Sequence, residues 1–291
     1  MLEKFYKNYF VDSHLHLAQC AGFEKINPFP FENYSCLTCF HSAEEWAAFE
    51  KIEKLVQPDS NERSASLTEA FSVDIVSGEN AKNPDIKKAF GLHPQNPDMK
   101  NAEFLERLLS EKKICAIGEA GFDFFTEEFK NRREEQKTAF EEQLSLASYY
   151  KVPVVLHIRK AFSEVFAYKN VLKNLPSVIF HGFPMGLYEA ESVLKSGINA
   201  YFSFGKVLFR GGRKALDCVK NLSLDRLLLE TDAPYMTLKD EEYTSFTDIA
   251  KVYDFAWSVR KAATPSERLS EEDFCARLKK NFYTCFGLSL N

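Results

Sequence analysis

Short apolar runs alternate with longer amphipathic stretches along most of the chain, which indicates repeated strand–helix units. The apolar runs have the length of buried strands, and the stretches between them place apolar residues at helical spacing. Eight strands are predicted, at residues 9–14, 35–40, 88–93, 114–119, 152–157, 177–182, 199–204 and 226–231. The helices predicted between them lie at 43–55, 102–112, 133–151, 186–197 and 212–222.

The order of these elements favours an α/β fold of the (β/α)₈ barrel type, although an open, doubly wound sheet is the alternative. We expect one domain over residues 1–291, because 291 residues is an ordinary length for a single barrel. Two further helices, at 246–263 and 270–286, are predicted to close the barrel after the last strand. The polar segment 57–83 interrupts the rhythm between the second and third strands, and we interpret it as an irregular surface excursion.

Composition narrows the class of protein only slightly. A hydrophobic content of 45% with 27% charged residues is typical of a globular protein with a large core. The net charge of −5 argues against a protein that coats nucleic acid, but not against a nuclease, because bound cations would supply positive charge locally. Seven cysteines without a regular spacing, no secretory signal and no apolar run of roughly 20 residues predict a reduced cytoplasmic protein.

Polar residues that bind metals recur where the predicted strands end. In a parallel barrel, the carboxyl ends of all strands meet at one rim, where active sites are built. His14 and His16 lie two residues apart at the end of the first strand, so their side chains point to the same face. The other members of this set are Glu119, His157, His181 and Asp232, which end strands four, five, six and eight.

Taken singly, each of these residues has a simpler interpretation as a hydrogen-bonded polar group or a helix N-cap. Their concentration at one rim favours a metal centre instead. Six ligands are too many for one tetrahedral zinc ion, and they suit two divalent ions that share a bridging carboxylate. Mixed imidazole and carboxylate ligands point to Zn²⁺ or Mn²⁺, with Mg²⁺ tolerable where oxygen ligands and water dominate.

The same segments carry a resemblance to a known family. The chain resembles the TatD family of metal-dependent deoxyribonucleases, which belongs to the amidohydrolase-like barrel superfamily. The resemblance runs over nearly the whole chain, and the histidine pair alone would be a weak signal. The matching segments are VDSHLH (11–16), GLHP (91–94), IGEAGFDFF (117–125), QKTAFEEQLSLA (136–147), PVVLHIRKAFSE (153–164), FHGF (180–183), SFGKVLF (203–209) and LLLETDAPYM (227–236).

The resemblance implies a role for each rim residue. One metal ion would be held by His14, His16, Glu119 and Asp232, and the second by Glu119, His157 and His181. Asp232 would also orient the attacking water or accept its proton. His93 would lie near the site without being a primary ligand, as a contact to the substrate phosphate or leaving group, or as a loop brace. Arg159, two residues beyond His157, is expected to contact phosphate, or simply to brace a loop.

Two segments depart from the family pattern, and one of them is the excursion at 57–83, which is longer than the family leads us to expect. After LLLETDAPYM the chain continues TLKDEEYTSFTDIAKVYD, an acidic stretch where the family commonly has an Arg-Asn-Glu-Pro segment. This departure bears on the substrate rather than on the metal ligands. The run Cys36-Leu37-Thr38-Cys39-Phe40-His41 looks like half of a zinc knuckle, but no second cysteine pair completes it. We therefore interpret Cys36 and Cys39 as small apolar fillers.

The sequence thus predicts a metal-dependent hydrolase, most simply a two-metal phosphodiesterase or deoxyribonuclease with DNA as its substrate. The first alternative is an amidohydrolase-type enzyme that acts on a small amide, lactone or phosphoester. The second alternative is a barrel that binds metal without catalysis. No protein partner and no membrane association are predicted.

Overall fold

A computed structural model describes residues 9–24, 33–56, 84–263 and 269–289 of the chain. Eight parallel strands lie in one sheet in chain order, and each pairs with the next. All eight predicted strands are present, so the predicted (β/α)₈ barrel is confirmed. The strands are β1 (Phe10–Leu15), β2 (Tyr34–Phe40), β3 (Asp85–Phe90), β4 (Ala116–Asp123), β5 (Val154–Arg159), β6 (Val178–Phe180), β7 (Ala200–Phe204) and β8 (Leu227–Leu229).

Helices follow the strands, as the amphipathic stretches predict. The short ones are α1 (Leu17–Cys20), α4 (Glu127–Asn131), α6 (Phe162–Ala167) and α7 (Lys169–Leu172). The longer ones are α2 (Ala43–Val56), α3 (Ala102–Ser110), α5 (Arg133–Tyr150), α8 (Leu187–Lys195), α9 (Arg213–Asn221), α10 (Ile249–Ala263) and α11 (Glu271–Cys285). The predicted excursion at 57–83 lies outside the described residues.

The barrel closes through hydrogen bonds between β1 and the segment that follows β8. The amide of Asp232 donates to the carbonyl oxygen of His14 at 3.0 Å, and the amide of His16 donates to Ala233 at 2.7 Å. The buried carboxylate of Asp12 accepts from the amide of Thr231 at 3.0 Å and from its hydroxyl at 2.6 Å. These bonds fix the two chain segments that carry the first and last predicted ligands.

The two C-terminal helices cover the same seam from outside, in agreement with the prediction. Tyr253 of α10 accepts from the Val11 amide at 3.3 Å and donates to the Val11 carbonyl at 3.1 Å. Asn281 of α11 donates to the carbonyl of Leu227 at 2.8 Å. Both helices thus provide hydrogen-bond partners for buried backbone groups of β1 and β8, which stabilises the position of these two strands.

Strand β4 lies unusually close to β5, which brings their rim residues together. Gly121 has a φ of +140°, and a Cβ at this position would meet the carbonyl oxygen of His157 at 2.2 Å. Only glycine tolerates both the backbone conformation and the contact. The pairing register shifts between Ile117 and Ala120, so β4 carries an irregularity where Glu119 turns towards the barrel mouth.

Candidate metal centre

Glu119 lies at the centre of the rim, and its buried carboxylate is approached by imidazoles from both sides. Oxygen Oε2 lies 3.2 to 3.4 Å from the Nε2 atoms of three histidines, and Oε1 lies 2.8 to 3.7 Å from nitrogen atoms of three others. The first group is His14, His16 and His41, and the second is His93, His157 and His181. These are all six histidines of the chain.

The six imidazoles form a closed belt around Glu119. Neighbouring ring centroids in the belt are 4.0 to 5.4 Å apart. Burial alone would raise the pKa of Glu119, but His14, His181 and His93 hold it well below its ordinary value. The carboxylate is therefore ionised, and it attracts positive charge to the centre of the belt.

Asp232 adds a second carboxylate on one side of the belt. Its Oδ1 lies 3.5 Å from Nε2 of His14 and 3.6 Å from Nε2 of His16. Although burial raises the pKa of Asp232, hydrogen bonds to these two imidazoles lower it well below the ordinary value. Its φ of 55° is left-handed, which is a strained conformation for a residue other than glycine. Such strained residues cluster at functional sites.

Two further carboxylates lie behind the outer nitrogens of the belt. Nε2 of His157 lies 3.1 Å from Oδ2 of Asp123, whose pKa is lowered to about 2 because hydrogen bonds from His157 and Gln95 outweigh its burial. Nδ1 of His181 lies 3.7 Å from Oε1 of Glu230, which also accepts from the Gly182 amide. A carboxylate behind an imidazole is the usual support of a metal-binding histidine.

The donor set fits divalent cations. Within the described residues, His14, His16 and Glu119 form one group whose ligand atoms lie within 4.8 Å of one another, and Glu119, His157 and His181 form another. Nε2 of His14 is buried without a hydrogen-bond partner. Nitrogen–oxygen separations of 2.8 to 3.6 Å resemble the spacing of about 3–3.5 Å between neighbouring ligands of an ion with bonds of about 2.0–2.2 Å.

His93 lies on the belt with a tautomer that its neighbours define. The backbone amide of Gln95 donates to Nδ1 of His93 at 3.2 Å, so the neutral ring carries its proton on Nε2. Burial lowers the pKa of His93 to about 3, which keeps the ring neutral. His93 thus presents an N–H group towards the cavity, which suits the predicted contact to a phosphate or leaving group better than metal ligation.

The belt opens into a cavity of about 870 Å³ whose wall carries cations and aromatic rings. Arg159, at the end of β5 as expected, lies over the ring of Phe125 at 3.9 Å and 3.9 Å from Asp123. Lys160 and Arg210 also line the mouth, and Tyr235 lies there beside His16. Phosphate and base-like groups would both find partners in this cavity.

Sequence reasoning missed three residues of this site: His41, Asp123 and Glu230. His41 follows β2 directly, so the rule that selected the other histidines applies to it equally. The two cysteines beside it suggest a zinc knuckle instead, and this motif obscures the histidine. Those cysteines are buried, as predicted, and Sγ of Cys39 lies 3.4 Å from Nδ1 of His14.

Asp123 and Glu230 stand inside segments that the sequence analysis already singled out. Asp123 lies four residues after Glu119 on the same strand, and Glu230 lies two residues before Asp232. Both are carboxylates where a predicted strand ends or just beyond it, and this position at the rim is the signal that points to them.

The acidic departure after β8 has a structural explanation. Glu241 accepts from the buried ammonium group of Lys206 at 2.6 Å, and Asp248 accepts from the same group at 2.6 Å. Glu241 also accepts from the amide of Leu238 at 2.8 Å, which ties this loop together. At least this part of the acidic stretch serves to anchor the loop on β7.

Among the described residues, no helix has both the length and the apolar character needed to cross a membrane.

Comparisons of sequence place the chain among known hydrolases. It is 33% identical over 157 residues to the uncharacterized metal-dependent hydrolase YabD of Bacillus subtilis, a match that covers 52% of this chain and 60% of that protein. It is 33% identical over 158 residues to the 3'-5' ssDNA/RNA exonuclease TatD of Pectobacterium carotovorum, which covers 52% of this chain and 58% of that protein. Both matches therefore span less than two thirds of the relative.

Comparisons of structure agree on the fold. The chain superposes on YjjV, a TatD homolog from Escherichia coli, with a TM-score of 0.71 at 23% identity over 96% of this chain and 98% of that one. A TatD family hydrolase from Entamoeba histolytica gives a TM-score of 0.65 at 16% identity, with 96% and 98% covered. The family model described as TatD related DNase matches residues 11–287, and the chain therefore belongs to that family.

Proposed function

We propose that the protein is a metal-dependent phosphodiesterase that hydrolyses nucleic acid. The observation that carries the proposal is the belt of six imidazoles around one ionised, buried carboxylate at the mouth of an open cavity. Such a set of imidazole nitrogen and carboxylate oxygen donors suits divalent cations more than any other partner. Membership of the TatD related DNase family supports the same reaction class.

Two cations would share Glu119. His14, His16, Glu119 and Asp232 would hold the first, and Glu119, His157 and His181 the second. Zn²⁺, Mn²⁺ and Mg²⁺ are the candidates. Divalent ions at such a site lower the pKa of bound water towards neutrality and stabilise negative charge on phosphoryl oxygens.

The side chains around these ligands have separate tasks. Asp232 would orient the attacking water or accept its proton, because a carboxylate on the metal lies within hydrogen-bond reach of the bound water. His93 would donate its Nε2–H to a phosphate oxygen or to the leaving oxygen. Arg159, held between Asp123 and Phe125, would contact a second phosphate.

Nucleic acid is the substrate that we propose, with DNA as the first expectation. Three cationic side chains line the mouth of the cavity in a protein with a net charge of −5, which favours a substrate that carries phosphates. Relatives described as 3'-5' ssDNA/RNA exonucleases support this choice. We also propose a single domain over residues 1–291 and a cytoplasmic location, which the seven free cysteines support.

A parallel set of hydrolysis assays tests the proposal. Labelled single- and double-stranded DNA, RNA, a small phosphodiester, a dipeptide and a lactone are each offered with and without Mn²⁺, Zn²⁺ or Mg²⁺. We expect metal-dependent cleavage of the oligonucleotides and its loss on chelation. Asp232→Asn should lower the rate at least about 100-fold through the loss of general base assistance.

The same experiment distinguishes the two alternative functions, an amidohydrolase-type enzyme and a non-catalytic barrel. Hydrolysis of the dipeptide or lactone with no cleavage of any oligonucleotide would favour an amidohydrolase-type reaction. No hydrolysis by a protein that binds metal would favour a non-catalytic barrel. Full activity of Asp232→Asn on oligonucleotides would contradict the role that we propose for this carboxylate.

A further inference from the structure

His41 belongs to the imidazole belt but to neither ligand set described above. It follows β2 directly, and its partly exposed ring lines the cavity. Nε2 of His41 lies 3.2 Å from Oε2 of Glu119, as close as the nitrogens of His14 and His16, which lie at 3.4 and 3.3 Å. The geometry therefore gives His41 the same relation to the shared carboxylate as the proposed ligands have.

The tautomer of His41 follows from its other neighbour. Nδ1 of His41 lies 3.3 Å from the carbonyl oxygen of Gly91, and a carbonyl oxygen only accepts hydrogen bonds. Nδ1 therefore donates to this carbonyl, and Nε2 is the ring nitrogen that is left to act as a ligand. Nε2 lies 3.2 Å from Oε2 of Glu119, so a divalent cation placed between them would have both as ligands. An imidazole that donates its second N–H to a backbone carbonyl is the common arrangement of a metal ligand.

The protein holds this imidazole from two sides. The amide of His41 donates to Oε2 of Glu45 at 2.7 Å, and the Glu45 amide donates to the hydroxyl of Ser42 at 3.2 Å. On the other side, a Cβ at Gly91 would meet Gly118 and the carbonyl oxygen of Glu119 at 2.7 Å. Only glycine at position 91 lets the backbone come so close to β4. The close approach places the carbonyl oxygen of Gly91 against the His41 ring.

His93, the neighbouring ring of the belt, has the opposite polarity. The two ring centroids are 4.8 Å apart, and the ligand atoms of His41, His93 and Glu119 form a group within 4.8 Å. Because Nδ1 of His93 accepts from the Gln95 amide, its Nε2 carries a proton. The pair thus presents one ligand nitrogen, Nε2 of His41, and one N–H group, that of His93, to the same part of the cavity.

We propose that Nε2 of His41 and Oε2 of Glu119 form an additional divalent-cation site on the cavity side of the belt. The protein supplies two ligands, and water or a phosphate oxygen of the substrate completes the coordination. His93 donates its N–H to that phosphate oxygen and does not bind the cation. The proposal rests on the proposed function in that Glu119 is shared with the two cations described there.

Metal titration of the full chain tests this site. The metal-free protein is titrated with Mn²⁺ by isothermal calorimetry, and bound metal is counted by elemental analysis after equilibrium dialysis. We expect three ions per wild-type chain, of which the weakest is lost in His41→Ala while the two tighter ions remain. His93→Ala is the matched control on the same face, and it should retain all three ions.

A second measurement does not depend on a variant. Nitrogen chemical shifts of the imidazoles in the ¹⁵N-labelled wild-type protein are followed during titration with Zn²⁺. We expect the Nε2 resonance of His41 to shift in the last step of the titration, while Nδ1 keeps its proton. An unchanged His41 resonance at saturation would overturn the proposal, as would equal metal content in wild type and His41→Ala.

Failure of this inference is distinguishable from failure of the proposed function. Two ions per chain with an unperturbed His41 would refute the additional site and leave the two-metal hydrolase intact. A folded wild-type protein that binds no divalent cation would instead refute the metal centre as a whole.

Discussion

Two clusters of buried charged groups lie at the rim of the barrel. They differ in how many of their polar atoms have a partner within the protein. At the end of β7, the buried ammonium group of Lys206 is matched by Glu241 and Asp248, and Lys251 pairs with Asp248 from the surface. Its positive and negative charges balance, and its polar atoms contact one another directly. Within β4, Glu119 is instead surrounded by six imidazoles, and one ring nitrogen each of His14, His16 and His181 is buried without a hydrogen-bond partner.

The difference separates a structural ion cluster from a binding site. Buried polar groups that lack partners are costly, so a fold that retains them holds them for a ligand. The Lys206 cluster needs nothing further and anchors the acidic loop. The Glu119 cluster becomes satisfied when cations occupy the spaces between its nitrogen and oxygen atoms.

The largest expected effect is the loss of hydrolysis in Glu119→Gln. The amide removes the shared negative charge and cannot bridge two cations, so the stabilisation that they provide, worth several kcal/mol, is lost. We expect the rate of metal-dependent oligonucleotide cleavage to fall about 10³-fold. Glu241→Gln makes the same change in the other cluster and should leave the rate unaltered. Equal losses in the two variants would contradict the distinction between the clusters.

In the Lys206 cluster the expected effect falls on stability. Lys206→Met leaves Asp248 and Glu241 without their buried cation, and we expect the free energy of unfolding to drop by about 3 kcal/mol. Lys251→Met removes a partner of the same Asp248 whose side chain is 67% exposed, and should cost less than about 1 kcal/mol. Chemical denaturation measures both changes. A Lys206→Met protein as stable as wild type would show that the cluster has no structural role.

The carboxylates behind the belt should tune the metal affinity. Asp123→Asn weakens the hydrogen bond that supports the His157 imidazole. We expect the cation that His157 holds to bind about 10–100-fold less tightly. Glu230→Gln should have a smaller effect because Glu230 lies 3.7 Å from His181, compared with 3.1 Å for the Asp123 contact. Competition with a chromophoric chelator measures both affinities. A larger loss of affinity in Glu230→Gln than in Asp123→Asn would show that the carboxylate–imidazole distance does not determine the metal affinity.

The last expected effect is a pH dependence in the metal-free protein. Burial and His14 lower the pKa of His181, but the carboxylates of Glu119 and Glu230 outweigh them and raise it from 6.5 to about 9. The resulting stabilisation is fully present below pH 6.5 and is lost as the pH rises towards 9.

A metal ion must displace the same proton. Between pH 7 and 9, the metal affinity should therefore rise by up to about tenfold per pH unit for each proton released. Calorimetry in buffers of different ionisation enthalpy measures the proton count, and His181→Asn should release about one proton fewer. A metal affinity that stays constant over this range would contradict the raised pKa.

The fold and most of the rim could be predicted from the sequence because they depend on periodicity and on strand ends. Each strand appears in the sequence as an apolar run, and in a parallel barrel the carboxyl ends of all strands lie at the same rim. His14, His16, Glu119, His157 and His181 were therefore identifiable before any coordinates. Their convergence on a single carboxylate depended only on closure of the barrel.

The rest depended on contacts that sequence spacing does not specify. His41 met the strand-end rule, but neighbouring cysteines suggested a different motif. The tautomers of His41 and His93 are fixed by the Gly91 carbonyl and the Gln95 amide, which are backbone groups without a sequence signature. Glu241 pairs with Lys206, 35 positions earlier in the chain, from a loop after β8 that has no periodicity.

Counting bound metal in the wild-type protein and in Glu119→Gln tests the central claim most directly. Both proteins are stripped with chelator, dialysed against Mn²⁺ and analysed for metal per chain, with circular dichroism to verify folding. We predict at least two ions per wild-type chain and a clear loss of bound metal in the variant. A folded wild-type protein without bound metal, or a variant that binds as many ions equally tightly, would contradict the account.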